Sequence, residues 1–175
     1  MSALEGHLFI IGFMGAGKSS VGEMLARRLN RPFYDLDERV ERQAGMVIPH
    51  IFERGGESAF RALETAQLEM LGGESPGVVA LGGGVVTTPA NLPLMHGMGR
   101  VVYLRVSVGE ALARIGDTSS RPLLSGPGGV LAATSLYEAR EGLYETVADI
   151  VVDTDGKDTG EVVEAVIQAL QEELA

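Results

Sequence analysis

Leu8-Phe9-Ile10-Ile11-Gly12-Phe13-Met14-Gly15-Ala16-Gly17-Lys18-Ser19 is the stretch that decides the fold. Its apolar opening, without polar alternation, reads as a parallel strand covered on both faces. A glycine-rich turn follows, and from Lys18 to Leu29 the residues Val21, Met24, Leu25 and Leu29 recur at helical spacing. Strand, turn and helix frame Gly12 to Ser19 as a G-x-x-x-x-G-K-S/T phosphate-binding loop. Glycines let the backbone wrap so that its N–H groups converge on phosphate oxygens, and the helix adds the positive end of its dipole. Lys18 reaches the β- and γ-phosphates, and the Ser19 hydroxyl can ligate Mg2+. The chain's own residue usage predicts roughly 0.004 chance matches to this pattern, so an ordinary glycine-rich turn accounts for it poorly.

Outward from the loop, β-rich runs alternate with helix-period segments. The runs are Phe33-Tyr34-Asp35, Val78-Val79-Ala80-Leu81, Val101-Val102-Tyr103-Leu104 and Ile150-Val151-Val152. Ser107 to Glu110 and Asp158 to Glu161 have capping-box form, and the second opens a C-terminal helix whose Val162, Val166, Ala169 and Leu170 face inward. Strands joined by helices imply right-handed crossovers and an α/β three-layer sandwich, with ligands at the carboxyl ends of the strands.

Composition bounds the rest. The 175 residues, 45% of them hydrophobic, suit a single domain, 1–175, with its own core. Absence of cysteine excludes a disulfide scaffold, a Cys-ligated zinc site and thiol catalysis. A net charge of −10 argues against nucleic-acid binding, and an anionic substrate then requires a local cationic island in the cleft. The longest apolar stretch, Leu8 to Ala16, falls short of the ~20 residues that cross a bilayer. Met1 to Glu5 has no basic n-region, so a cytoplasmic protein without a secretory signal, acting away from membranes, is expected.

A phosphate-binding loop alone does not choose among its users. Asp155-Gly156-Lys157-Asp158 lacks the leading Asn or Thr of a guanine-reading motif, and Leu124-Ser125-Gly126-Pro127-Gly128 is spoiled as a transporter-ATPase signature by Pro127. Kinases of small metabolites remain. In Asp35-Leu36-Asp37, strand alternation would put both carboxylates on one side, one for Mg2+ through water and one for the attacking hydroxyl; Asp37 as a plain helix N-cap reads equally well. Arg61 and Glu64 share a helix face, either as a surface ion pair or as a guanidinium held for an anionic substrate. Gly82-Gly83-Gly84 ends an apolar strand where a ligand can approach the backbone. The polar, Gly/Pro-punctuated stretch around Arg121 reads as an exposed loop or as a lid, about 114–128, that closes over the nucleotide. Tyr137, Arg140 and Tyr144 form one helical stripe, open between a core face with a solvated Arg and a substrate contact.

Taken in order and spacing, Gly12 to Ser19, Tyr34-Asp35-Leu36-Asp37, Ile51-Phe52 with Gly56-Glu57-Ser58-Ala59-Phe60-Arg61-Ala62-Leu63-Glu64, Gly82 to Gly84, Arg121-Pro122-Leu123-Leu124 and Tyr137 to Tyr144 resemble the shikimate kinase family. The resemblance runs from Ile11 to about Asp153. It implies a nucleoside-monophosphate-kinase-like P-loop kinase fold, with a five-stranded parallel sheet of order 2-3-1-4-5 and a substrate-binding helical region at about 36–64. It also implies transfer of the ATP γ-phosphoryl group to the 3-hydroxyl of shikimate, by what is expected to be a monomer. Gly15, Ala16, Gly17, Lys18, Ser19 and Ser20 would hold the phosphates, and Ser19 and Asp35 would hold Mg2+. Asp37, Arg61, Gly83, Gly84 and Arg140 would bind shikimate, Arg121 would reach the phosphates from the lid, and Arg114 would pack on adenine. Lys18, Asp37 and Arg121 would be catalytic. An Asp is a weak base, with an ordinary pKa of ~3.9, so Asp37 is expected to orient the hydroxyl more than deprotonate it. Two features depart from the family pattern: Ser125 to Ser135 carries no charge, and Gly156-Lys157-Asp158-Thr159 lacks the Arg and Pro expected beside adenine. The rival readings are a gluconate-kinase-like enzyme, which would not need the Asp37, Arg61 and Arg140 set, and a nucleotide-binding regulator that has lost catalysis.

Overall fold

The computed structural model describes residues 5–116 and 128–173. β1 (His7–Ile11) is buried along its whole length because it lies mid-sheet with helices on both faces. The other strands are β2 (Phe33–Asp35), β3 (Val78–Ala80), β4 (Gly99–Arg105) and β5 (Ile150–Asp153), and the sheet order is β2-β3-β1-β4-β5. Every pairing is parallel, with Phe9 opposite Val79 on one side and Val101 on the other. The connection from β1 to β2 runs to one side of β1 and that from β3 to β4 runs to the other, so the turn after β1 opens at the topological switch point, where α/β sheets bind ligands. The expected sheet and its order are those observed.

Seven helices connect the strands among the described residues: α1 (Lys18–Leu29), α2 (Leu36–Ala44), α3 (Ile48–Met70), α4 (Asn91–Met98), α5 (Val108–Ile115), α6 (Gly129–Val147) and α7 (Thr159–Glu173). The two capping expectations hold. The Ser107 hydroxyl accepts from Glu110 N at 3.2 Å, and Asp158 and Glu161 exchange backbone-to-carboxylate bonds of 2.8 and 2.9 Å. On α1, Met24 is exposed rather than inward, and Ala26 joins Val21 and Leu25 in the core instead. α5 runs through Arg114 and Ile115, so the expected lid begins on a helix; the stretch that carries Arg121 lies outside the described residues.

The apolar interior falls in two parts. The main core holds the sheet, α1 and α7, whereas Val40, Ile51 and Phe60 form a separate small cluster between α2 and α3. α3 is two helical segments joined at Gly56, whose φ of 73° breaks the helix. The substrate-binding region expected at about 36–64 is thus a helical unit with its own small core, docked beside the carboxyl ends of β1, β2 and β3.

Candidate active site

The loop after β1 ends in Gly17, a left-handed N-cap with no side chain to satisfy the first amides of α1, and the first turn carries no carboxylate. Uncapped amides and an uncompensated dipole make an anion site. Gly15 is needed for its φ of 79° and for space, since a Cβ there would lie 2.6 Å from Ala111 O. Lys18 Nζ donates to Phe13 O at 3.0 Å, which curls the ammonium over its own loop.

At the next strand the expectation about the two aspartates is corrected. β2 stops at Asp35 and the helix begins at Leu36, so no strand alternation relates the pair. Asp35, not Asp37, is the N-cap: one of its oxygens accepts from Glu38 N at 3.2 Å, and the other accepts from the Ser19 hydroxyl at 2.8 Å. Capping wins because an Asp at a strand end satisfies a helix donor that a longer strand would leave unpaired. Asp37 sits in the first turn of α2 and still faces the same cavity. The touching hydroxyl of Ser19 and carboxylate of Asp35 are oxygen donors of the kind Mg2+ takes when phosphates and water complete its shell. Among the described residues no group of three His, Cys, Asp or Glu could hold a metal by itself, so this pair fits an ion that arrives with a nucleotide.

Across the cavity lie the arginines. Arg61 is held by two carboxylates: Nη1 donates to Glu64 at 3.0 Å, while Nη2 and Nε donate to one oxygen of Glu57 at 3.1 and 3.4 Å. Its guanidinium lies so close to Gly84 that a Cβ there would collide with it, which is why that position is a glycine. Arg140, expected as either a solvated or a substrate-facing residue, is only 4% exposed on α6. Its Nε has no partner, and burial pulls its pKa down. The glycine turn itself is anchored by its carbonyls. Gly82 O accepts from Val85 N, Gly83 O from the Tyr144 hydroxyl, and Gly84 O from the Thr87 hydroxyl at 2.6 Å. Among the described residues none of the three glycine N–H groups donates, which leaves them for a ligand.

Glu64 is fully buried, and burial lifts its carboxyl to about 7 against the pull of Arg61, with the Asp37 charge adding to the lift. A carboxyl that titrates higher folded than unfolded binds an extra proton in the folded chain between the two values. The stability it contributes is therefore complete below the ordinary value of 4.5 and is lost as pH rises through about 7. Relative to Glu64→Gln, the parent is expected to lose a few degrees of Tm between about pH 5 and about pH 8. Thermal melts at both pH values check this; a parent-to-variant difference that stays constant would contradict it.

One cavity of about 750 Å³ collects Gly15, Gly17, Lys18, Ser19, Ser20, Asp35, Asp37, Arg61, Gly83, Gly84 and Arg140. Two of the expected residues that the structure describes are not in its wall. Ala16 is buried, its N–H closing a turn onto Phe13 O at 3.1 Å. Arg114 lies behind the loop, donating to Thr154 O at 2.8 Å, to the Thr154 hydroxyl at 3.2 Å and to Gly15 O at 3.4 Å. Arg121 is outside the described residues. Nor is the cavity a cationic island: Lys18, Arg61 and Arg140 face Asp35, Asp37, Glu38 and Glu41. Charge is segregated instead, with carboxylates along α2 and two guanidiniums at the glycine turn. The sequence reading gave no role to Glu57, Phe52 and Phe60, which it held only as part of the resemblance, and missed Glu38, Glu41 and Ile48. The i,i+4 spacing from Arg61 is the signal that points to a role for Glu57.

Sheet order, loop and paired carboxylate–guanidinium walls define a P-loop kinase of the nucleoside-monophosphate-kinase type. Solved structures bear out the fold: a gluconokinase from Sinorhizobium meliloti superposes with a TM-score of 0.60 over 97% of this chain and 93% of its own, although at 21% identity it speaks for the fold alone. The family model for shikimate kinase matches residues 14–171, and the chain belongs to that family. A shikimate kinase of Halorhodospira halophila is 44% identical over 94% of this chain and 93% of its own length. The shikimate kinase from Acinetobacter baumannii, solved in complex with shikimate, has a TM-score of 0.93 at 34% identity, covering 97% of this chain and 94% of that one.

Proposed function

We propose that this enzyme transfers the γ-phosphoryl group of ATP to the 3-hydroxyl of shikimate, giving shikimate 3-phosphate and ADP. The observation that carries the reading is the meeting of Asp37, Arg61 and Arg140 with the phosphate-binding loop in one cavity, although they lie far apart along the chain. A small cyclic acid bearing hydroxyls needs guanidinium donors for its carboxylate and acceptors for its hydroxyls, and the cavity carries both.

In this reading the amides at the start of α1, with Gly15, Ala16, Gly17 and Ser20, cradle the phosphates. Ser19 and Asp35 hold Mg2+, which neutralises phosphate charge when bound. Lys18 leaves Phe13 O for the β- and γ-phosphates. Arg61 and Arg140 take the shikimate carboxylate, and the free amides of Gly83 and Gly84 serve the same face. Asp37 accepts from the 3-hydroxyl and aims it at phosphorus; a loose phosphoryl-transfer transition state asks for alignment more than for early proton removal. Arg121 closes over the transferring group. Arg114, whose N–H groups are spent on Glu110, Thr154 and Gly15, has its flat face to offer adenine. A monomer working in the cytoplasm completes the reading; no helix among the described residues is long and apolar enough to cross a membrane.

The test is ADP release by the purified protein with ATP, Mg2+ and either shikimate or gluconate. Shikimate-dependent release with gluconate idle is expected. Release with gluconate alone would favour the rival kinase, and release with neither would favour a nucleotide-binding regulator.

A further inference from the structure

Among the described residues, Arg61 is the only cavity residue clasped by two carboxylates that themselves stay out of the cavity wall. Glu64 approaches from the buried side and Glu57 from the half-exposed side. A guanidinium has five N–H donors. Three are committed here, one on Nε and one on Nη2 to Glu57, and one on Nη1 to Glu64, which leaves one N–H on each of Nη1 and Nη2. Two donors on adjacent nitrogens are what a carboxylate takes bidentately.

We infer that Glu57 is a positioning residue for the shikimate carboxylate: gripping the Nε and Nη2 side of Arg61 from outside the cavity, it fixes the plane in which the remaining donors meet the substrate. The inference rests on the shikimate reading above. The backbone is arranged for it. The break at Gly56 stops the first segment of α3 immediately before Glu57, which therefore opens the second segment, where the helix dipole favours a carboxylate. An exposed i,i+4 ion pair ordinarily does little, but here the Arg61 side chain is 13% exposed and lies flat against Gly84, so losing one clasp lets the fork turn rather than dissolve into water.

Steady-state kinetics of Glu57→Ala and Glu57→Gln test this. Glu57→Ala is expected to raise the shikimate KM about fivefold while kcat, the ATP KM and Tm stay close to the parent's. Glu57→Gln, whose amide oxygen can accept the same two bonds, is expected to remain within about twofold of the parent. An unchanged shikimate KM in Glu57→Ala would overturn the inference. So would a parallel loss in kcat or ATP KM, which marks a general structural role, or a Gln variant as impaired as Ala. A parent idle on shikimate would overturn the functional reading with it, whereas an active parent with an unaffected Ala variant overturns this inference alone.

Discussion

Asp37→Asn is expected to lower kcat for shikimate phosphorylation by roughly 10²- to 10³-fold while leaving the KM for ATP within about twofold. The substitution keeps the shape of the side chain, and α2 does not depend on it for its cap, because Asp35 fills that position. What changes is the charge that, in the proposed reading, faces the substrate hydroxyl. An amide can still accept a hydrogen bond, but its NH2 can equally present a donor there, and it no longer stabilises the proton that must leave as the P–O bond forms. In the proposed reading ATP is held by the other wall, the start of α1, so nucleotide binding should be insulated from the change. Initial rates across both substrates, with fluorescent-nucleotide titration as the second readout, check the split. A variant that retains more than about a tenth of the parent kcat would remove Asp37 from the reacting centre.

How the two aspartates are placed also marks where sequence reading succeeds and where it stops. Strands β1, β3 and β4 were legible because parallel strands covered on both faces must be apolar throughout, and the phosphate-binding loop was legible because its residue types answer to one ligand chemistry. The junction at Asp35 was not, since an Asp there serves a longer strand or a helix cap equally well, and only the path of the chain chooses. Met24 carries the helical period yet faces outward, because α1 meets its neighbours along the narrower stripe of Val21, Leu25 and Ala26. α4, interrupted by Pro93 and Gly97, has almost no amphipathic pattern and passed unread. Arg140 is the sharpest instance. Nothing local distinguishes a buried arginine from a solvated one; its burial follows from Tyr144 one turn on, which must pack on Tyr103 and bind Gly83 O.

That burial makes Arg140→Met the second large effect, with opposite signs for function and stability. Arg140 is 4% exposed, its Nε has no partner, and no carboxylate among the described residues pairs with it as Glu57 and Glu64 pair with Arg61. A buried cation with no carboxylate in direct contact costs folding free energy, the same desolvation that draws its pKa down. Methionine fills comparable length without charge. The variant is therefore expected to melt at least as high as the parent when no ligand is present, and to lose about 10²-fold in kcat/KM for shikimate because the guanidinium proposed to take the carboxylate is gone. Added shikimate should then raise the Tm of the parent and leave the variant unmoved, since only a state that binds the ligand is stabilised by it. The combination separates this account from ordinary core damage, which would lower Tm and activity together. An Arg140→Met protein that melts well below the parent, or that still responds to shikimate as the parent does, would mean that the cation is there to hold the fold and that the substrate carboxylate is received elsewhere.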